Sequence, residues 1–130
     1  MANDIVDKET KLAAVITENK LGEVLKPLKQ EIHLFDTYVA GTAFLEDDTV
    51  LEEIMVGDTL ALRREDNKFD ENTIVVLTED NRKLGHIPEK DNIVFSRLMD
   101  AGKFLAGKIT EIEQRGKLTL ISIGIYLVDF

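Results

Sequence analysis

Cysteine is absent from the 130-residue chain, which excludes disulfides, thiol nucleophiles and cysteine-ligated zinc and fits a reducing compartment. Histidine is scarce too. His33 and His86 each fall within a predicted strand, and neither pairs with another ligand at i+2 or i+4, so no metal site is expected. Long apolar runs are missing: the longest stretch, residues 118–128, is broken by Thr119, Ser122 and Gly124, well short of the roughly 20 residues of a membrane-spanning helix. The first residues contain no apolar core of a secretion signal. These absences predict a soluble, cytoplasmic protein with no membrane association.

Basic charge is also in short supply, with 16 Lys and Arg against 25 Asp and Glu, a net charge of -9. Such a balance opposes nonspecific nucleic-acid binding, which depends on basic surface displacing counterions. Screening reduces the objection, because charges more than about 8 Å apart interact weakly at physiological salt, so a local patch can differ from the total. There is no phosphate loop, nucleophile elbow or twelve-residue calcium loop. The acidic groups Glu46-Asp47-Asp48 and Asp66, Asp70, Glu71 read as solvated surface rather than cation ligands. A non-enzymatic protein without cofactor or metal is the expectation.

What is present describes an ordinary globular chain, 44% hydrophobic and 32% charged, long enough for one domain that buries about two-thirds of its unfolded surface. Residues 1–30 read as an N-terminal helical extension. Leu12, Val15 and Ile16 share one face, and Leu21, Val24, Leu25 and Leu28 repeat at helical spacing, with Asn19, Gly22 and Pro27 dividing the segment into short helices. That second stripe suits packing on the domain behind it or, alternatively, a protein partner or self-association.

From Glu31 the period changes to two, and residues 31–130 read as a β domain. His33, Phe35, Thr37 and Val39 alternate with Ile32, Leu34, Asp36, Tyr38 and Ala40 up to Gly41. Asp48 is placed to cap a short helix ended by Gly57. Strands follow over residues 58–64, 73–78 and 83–87, then a helix over 89–101 carrying Ile93, Val94, Leu98 and Met99 and stopped by Gly102. A hairpin turning at Arg115-Gly116 completes the chain. Six short strands without a βαβ rhythm predict a mainly β fold with short helices, a small OB-like β-barrel.

The segment between two of these strands stands apart. It is longer than the usual two to five residues of a hairpin loop, and it sets Phe69 among Asp66, Asn67, Asp70 and Asn72, next to Arg63 and Arg64. A guanidinium forks onto phosphate, an aromatic ring stacks on any base, and a carboxylate accepts from a sugar hydroxyl. The same residues also support an architectural reading. In it Arg64 pairs with Asp70, Phe69 tucks into the barrel mouth and Asn72 forms an Asx turn.

The succession Val39-Ala40-Gly41-Thr42, Gly57-Asp58-Thr59-Leu60-Ala61-Leu62, Arg64-Glu65-Asp66-Asn67-Lys68-Phe69-Asp70-Glu71-Asn72-Thr73-Ile74 and Leu84-Gly85-His86-Ile87-Pro88 resembles the HIRAN domain. The likeness covers about residues 32–113. It implies an OB-like barrel that, in eukaryotic members fused to remodelling helicases, grips the 3′-hydroxyl end of single-stranded DNA. By position it assigns base stacking to Phe69 and Phe44, the terminal hydroxyl to Asp70, backbone contact to Asn67 and a neighbouring place to His86; Arg64 joins this nucleic-acid-binding set on its chemistry, as a guanidinium able to fork onto phosphate. The chain departs from the pattern in four ways. Phenylalanine replaces tyrosine at both stacking positions, the loop is a residue shorter at Asp66, Ala43 stands where DNA-end-binding relatives carry arginine, and Glu89 follows Pro88.

Overall fold

The computed structural model describes residues 30–129. The helices expected over residues 1–29, with the Leu21, Val24, Leu25 and Leu28 stripe, lie outside them. Six strands, β1 (Gln30–Tyr38), β2 (Thr59–Arg64), β3 (Ile74–Leu77), β4 (Lys83–His86), β5 (Phe104–Arg115) and β6 (Leu118–Asp129), form one sheet in the order β1-β6-β5-β2-β3-β4. The sheet is a half-barrel, and the described residues include one α-helix, α1 (Glu89–Asp100).

The longest pairing is the β5–β6 hairpin, in register from Phe104↔Val128 to Arg115↔Leu118. Its turn contains Gly116 at φ 61°, a left-handed conformation that glycine adopts without Cβ strain. On β6 the core face carries Thr119, Ile121, Ile123 and Ile125, all buried. On β5 it carries Leu105 and Ile109, then Ile112. The change of parity is the work of a bulge between Ile109 and Glu111, which inserts one residue and bends the strand. The β-branched run of β3 is buried throughout, Ile74, Val75, Val76 and Leu77 alike, as expected of a strand covered on both faces. With Val39, Val50, Leu60, Leu84, Ile87 and Phe95 these side chains make the core.

The two outer strands meet just beyond β1. Val39 N–H donates to the Ile121 carbonyl on β6 at 2.9 Å, while Ala40 exchanges hydrogen bonds with His86 of β4 at 2.8 and 3.0 Å. This one bridge carries the chain from one sheet edge to the other. It requires close backbone approach: a Cβ on Gly85 would lie 2.2 Å from the Ala40 carbonyl oxygen.

Two local expectations are corrected. The helix near Asp48 is a 3-10 turn (Asp48–Glu52) whose cap is Asp47, accepting from Thr49 N–H. A second 3-10 turn (Thr42–Phe44) follows Gly41. On α1 the apolar pattern holds only in part: Leu98 and Met99 pack against the core, but Ile93 and Val94 are exposed, and Asn92, Phe95 and Ser96 are the residues buried on the docked face. The helix ends where Gly102 predicts, with Lys103 N–H on the Leu98 carbonyl and Gly102 N–H on that of Met99, a Schellman closure that satisfies terminal carbonyls.

Candidate functional site

Two short-range side-chain bonds shape the loop between β2 and β3. Asn67 Oδ1 accepts from Phe69 N–H at 2.8 Å, and Asp70 Oδ1 accepts from Asn72 N–H at 2.9 Å. These are successive Asx turns, made by residues whose short polar side chains mimic a backbone turn. Asn67 and Asp70 thus accept the turn bonds, rather than Asn72. Phe69 stands between the two turns and is 85% exposed, so the ring does not tuck into the mouth. The Lys68 ammonium lies 5.2 Å from its centroid.

Arg64 holds the loop from beneath. Its Nε and Nη2 donate to Asp100 at 2.9 and 3.2 Å, Nη1 to the Thr73 carbonyl at 2.7 Å, and Nη2 to the Glu71 carbonyl at 2.8 Å. The partner expected from sequence was Asp70, and the observed one is Asp100 at the end of α1. With these bonds made, the guanidinium is a brace and not a free phosphate fork. Hydrogen bonding to Arg64, more than its charge, holds the Asp100 carboxyl below the usual carboxylate range. A lowered carboxyl pKa contributes stability above the unfolded value and loses it as pH falls through the folded one, so the brace should loosen in acid. Arg64→Ala is expected to destabilise the domain by about 1–3 kcal/mol and to raise amide exchange across residues 65–73. Unchanged exchange there would show that the Asx turns hold the loop unaided.

The loop is also tied to α1. Asp70 Oδ2 accepts from Asn92 Nδ2 at 2.8 Å, and Ser96 Oγ lies 3.2 Å from Asn72 Oδ1. Neither helix residue stands out in the sequence, because a buried polar side chain gives no periodicity signal. The only available hint was their i, i+4 spacing on one helix face.

On the other side of the β4–α1 connection, Gly41 at φ 83° starts the 3-10 turn that carries Phe44, which is 88% exposed. The His86 ring packs beneath Gly41, where a Cβ would meet it at 2.8 Å. Gly41, Phe44, Lys83, Gly85 and His86 line a cleft of about 520 Å³. Arg82, at its far wall, is held by Asp47 and Glu53 at 3.0 and 2.8 Å, and hydrogen bonds to both keep its pKa raised.

Phe44 and His86 therefore share a cleft, while Asn67, Phe69 and Asp70 share a loop. The segment from His86 to Asn92 links them, with His86 beside Gly41 at one end and Asn92 on Asp70 at the other. Among the described residues, no three or more His, Asp or Glu side chains converge on a possible metal position. No described helix is long and apolar enough to cross a membrane.

Among the described residues, a half-barrel of six antiparallel strands with one α-helix, carrying Phe44 and Phe69 exposed on two hydrogen-bonded turns, defines a class of small β domain. The sequence pattern of the HIRAN domain matches residues 32–127, and the chain belongs to that family. A crystal structure of a protein from Lactobacillus plantarum is similar to it at 28% identity and TM-score 0.72, over 78% of this chain and 99% of that one. The HIRAN domain of human HLTF shares the fold at 15% identity and TM-score 0.60, over 75% of this chain and 78% of that one. No curated protein matches the chain.

Proposed function

We propose that this chain is a non-catalytic module that takes the end of single-stranded DNA, reading its 3′-hydroxyl. The observation that carries the reading is the pair of phenyl rings, Phe44 at 88% and Phe69 at 85% exposure. Each sits on a turn fixed by hydrogen bonds. Aromatic faces stack on any base and so grip a single strand without selecting sequence. Beside Phe69, Asp70 offers a carboxylate that accepts from a hydroxyl and repels a terminal phosphate. Membership of the HIRAN family supports the same ligand.

Charge plays a small part in this reading. Arg64 and Arg82 are committed to protein partners, while Lys68 lies by Phe69 and Lys83 lines the cleft. Two phosphate contacts at about -0.7 each predict a slope of log affinity against log salt of about -1.4. The test is a titration of 5′-labelled oligonucleotides ending in a 3′-hydroxyl or a 3′-phosphate, at two salt concentrations. Preference for the hydroxyl end with a shallow slope supports the reading. Equal binding of the two ends, or binding of neither, refutes it. Asp70→Asn should abolish the preference while the fold persists, since the carboxamide oxygen still accepts one of the two bonds.

A further inference from the structure

We infer that Asn92, on the helix and not on the loop, sets the orientation of the Asp70 carboxylate and so determines discrimination between a hydroxyl and a phosphate at the strand end. The inference rests on the DNA-end reading above.

Asn92 is 2% exposed, on the helix face it shares with Phe95 and Ser96. Burying a carboxamide is costly unless its polar atoms are bonded, so an apolar side chain would serve packing better at this position. Its Nδ2 instead donates to Asp70 Oδ2 at 2.8 Å. The direction follows from chemistry, since an ionised carboxylate only accepts, so the amide nitrogen must face it.

Without this bond, Asp70 keeps one side-chain partner, Asn72 N–H on Oδ1, two residues away in the same loop. A single local bond leaves the carboxylate free to turn about its last torsion, which is broad for aspartate. A second donor, from a different element and on the other oxygen, fixes its plane. Each oxygen has two lone pairs and the protein uses one on each, so accepting capacity remains for a ligand hydroxyl. Asn92 is therefore a positioning residue, acting on the ligand through Asp70.

Ser96 provides the comparison. Its hydroxyl reaches the Ile93 carbonyl at 2.9 Å and Asn72 Oδ1 at 3.2 Å, but not Asp70. It supports the loop without orienting the carboxylate. A merely structural role for this helix face would make Asn92 and Ser96 equivalent, and orientation of Asp70 separates them.

The full chain, as wild type, Asn92→Ala, Asn92→Ser and Ser96→Ala, is titrated with a short 5′-labelled oligothymidylate ending in a 3′-hydroxyl or a 3′-phosphate, and thermal melts are recorded in parallel. The expected result is a roughly tenfold fall in the hydroxyl-to-phosphate affinity ratio for Asn92→Ala, the scale of one hydrogen bond to a charged acceptor. Binding of the phosphate end should stay within about twofold, because the stacking rings are untouched, and Ser96→Ala should keep the wild-type ratio. If Asn92→Ala fails to fold, Asn92→Ser, too short to reach Asp70 but polar and small, is judged by the same ratio. A wild type that discriminates, beside an Asn92 variant that discriminates equally well, overturns the inference and leaves the DNA-end reading standing. A wild type that binds both ends alike overturns both.

Discussion

Phe69→Ala is expected to weaken binding of single-stranded DNA by about 1–3 kcal/mol, the usual loss on removing one stacking platform, with no fall in melting temperature. The physical case is the contrast between exposure and fixation. An 85% exposed ring contributes little to the core, so truncating it costs little stability. Yet its backbone N–H is bonded to Asn67 Oδ1 and the loop beneath it is clamped by Arg64. Holding an apolar ring in water on a rigid turn prepares it to meet a flat partner with little further loss of entropy. Phe44→Ala should behave alike, and because the rings stand on separate loops their losses should add within about 0.5 kcal/mol. Fluorescence anisotropy of a labelled oligonucleotide measures both. Wild-type affinity in the double variant would remove stacking from the account.

Gly85→Ala is expected to lower stability by about 2–6 kcal/mol, combining backbone strain with overpacking, each about 1–3 kcal/mol. Gly85 has φ 153°, and a Cβ there would stand 2.2 Å from the Ala40 carbonyl oxygen and 2.7 Å from Val39 Cγ1. One of these obstacles is backbone, so rotamer changes cannot relieve the clash. The strand would have to withdraw, breaking the Ala40–His86 pair that joins the two outer strands. For a domain of this size the melting temperature should fall by at least about 8 °C. The substitution should also impair binding, since the same bridge holds Gly41 and the Phe44 turn against His86. A variant that melts within a few degrees of wild type would mean that the bridge yields easily and is not what fixes the mouth.

Much of the secondary structure could be read from local pattern, and the reasons are particular. The β-branched residues 73–78 announced β3, Glu79-Asp80-Asn81 announced the turn after it, where Asn81 takes φ 71°, and Gly102 announced the end of α1. Each of these signals acts over a few residues. The local errors are shifts of a residue or two, such as the cap at Asp47 and the Asx turn accepted by Asp70; the larger ones arise from partners far apart in the chain. Proximity in sequence pairs Arg64 with Asp70, six positions away, whereas its carboxylate partner is Asp100. On α1, Leu98 and Met99 bear out the hydrophobic signal, but Ile93 and Val94 share it and are exposed, while the buried Asn92 and Ser96 give none. Periodicity weighs a side chain by its own polarity, and a buried amide is made tolerable only by its partner.

By itself, then, the sequence determined the strand and turn succession, the family motif, and the chemical inventory of the loop: an aromatic ring, a carboxylate, carboxamides and a guanidinium. Those follow from residue type and spacing, which are local. Only the tertiary structure decided how the inventory is divided. It committed Arg64 to bracing, left Phe44 and Phe69 in solvent, and set Asn92 behind Asp70. The physical reason is that a side chain's role depends on which donors, acceptors and surfaces reach it in the folded chain. Here they come from an edge-joining bridge at Ala40 and His86 and from a helix some twenty residues beyond the loop.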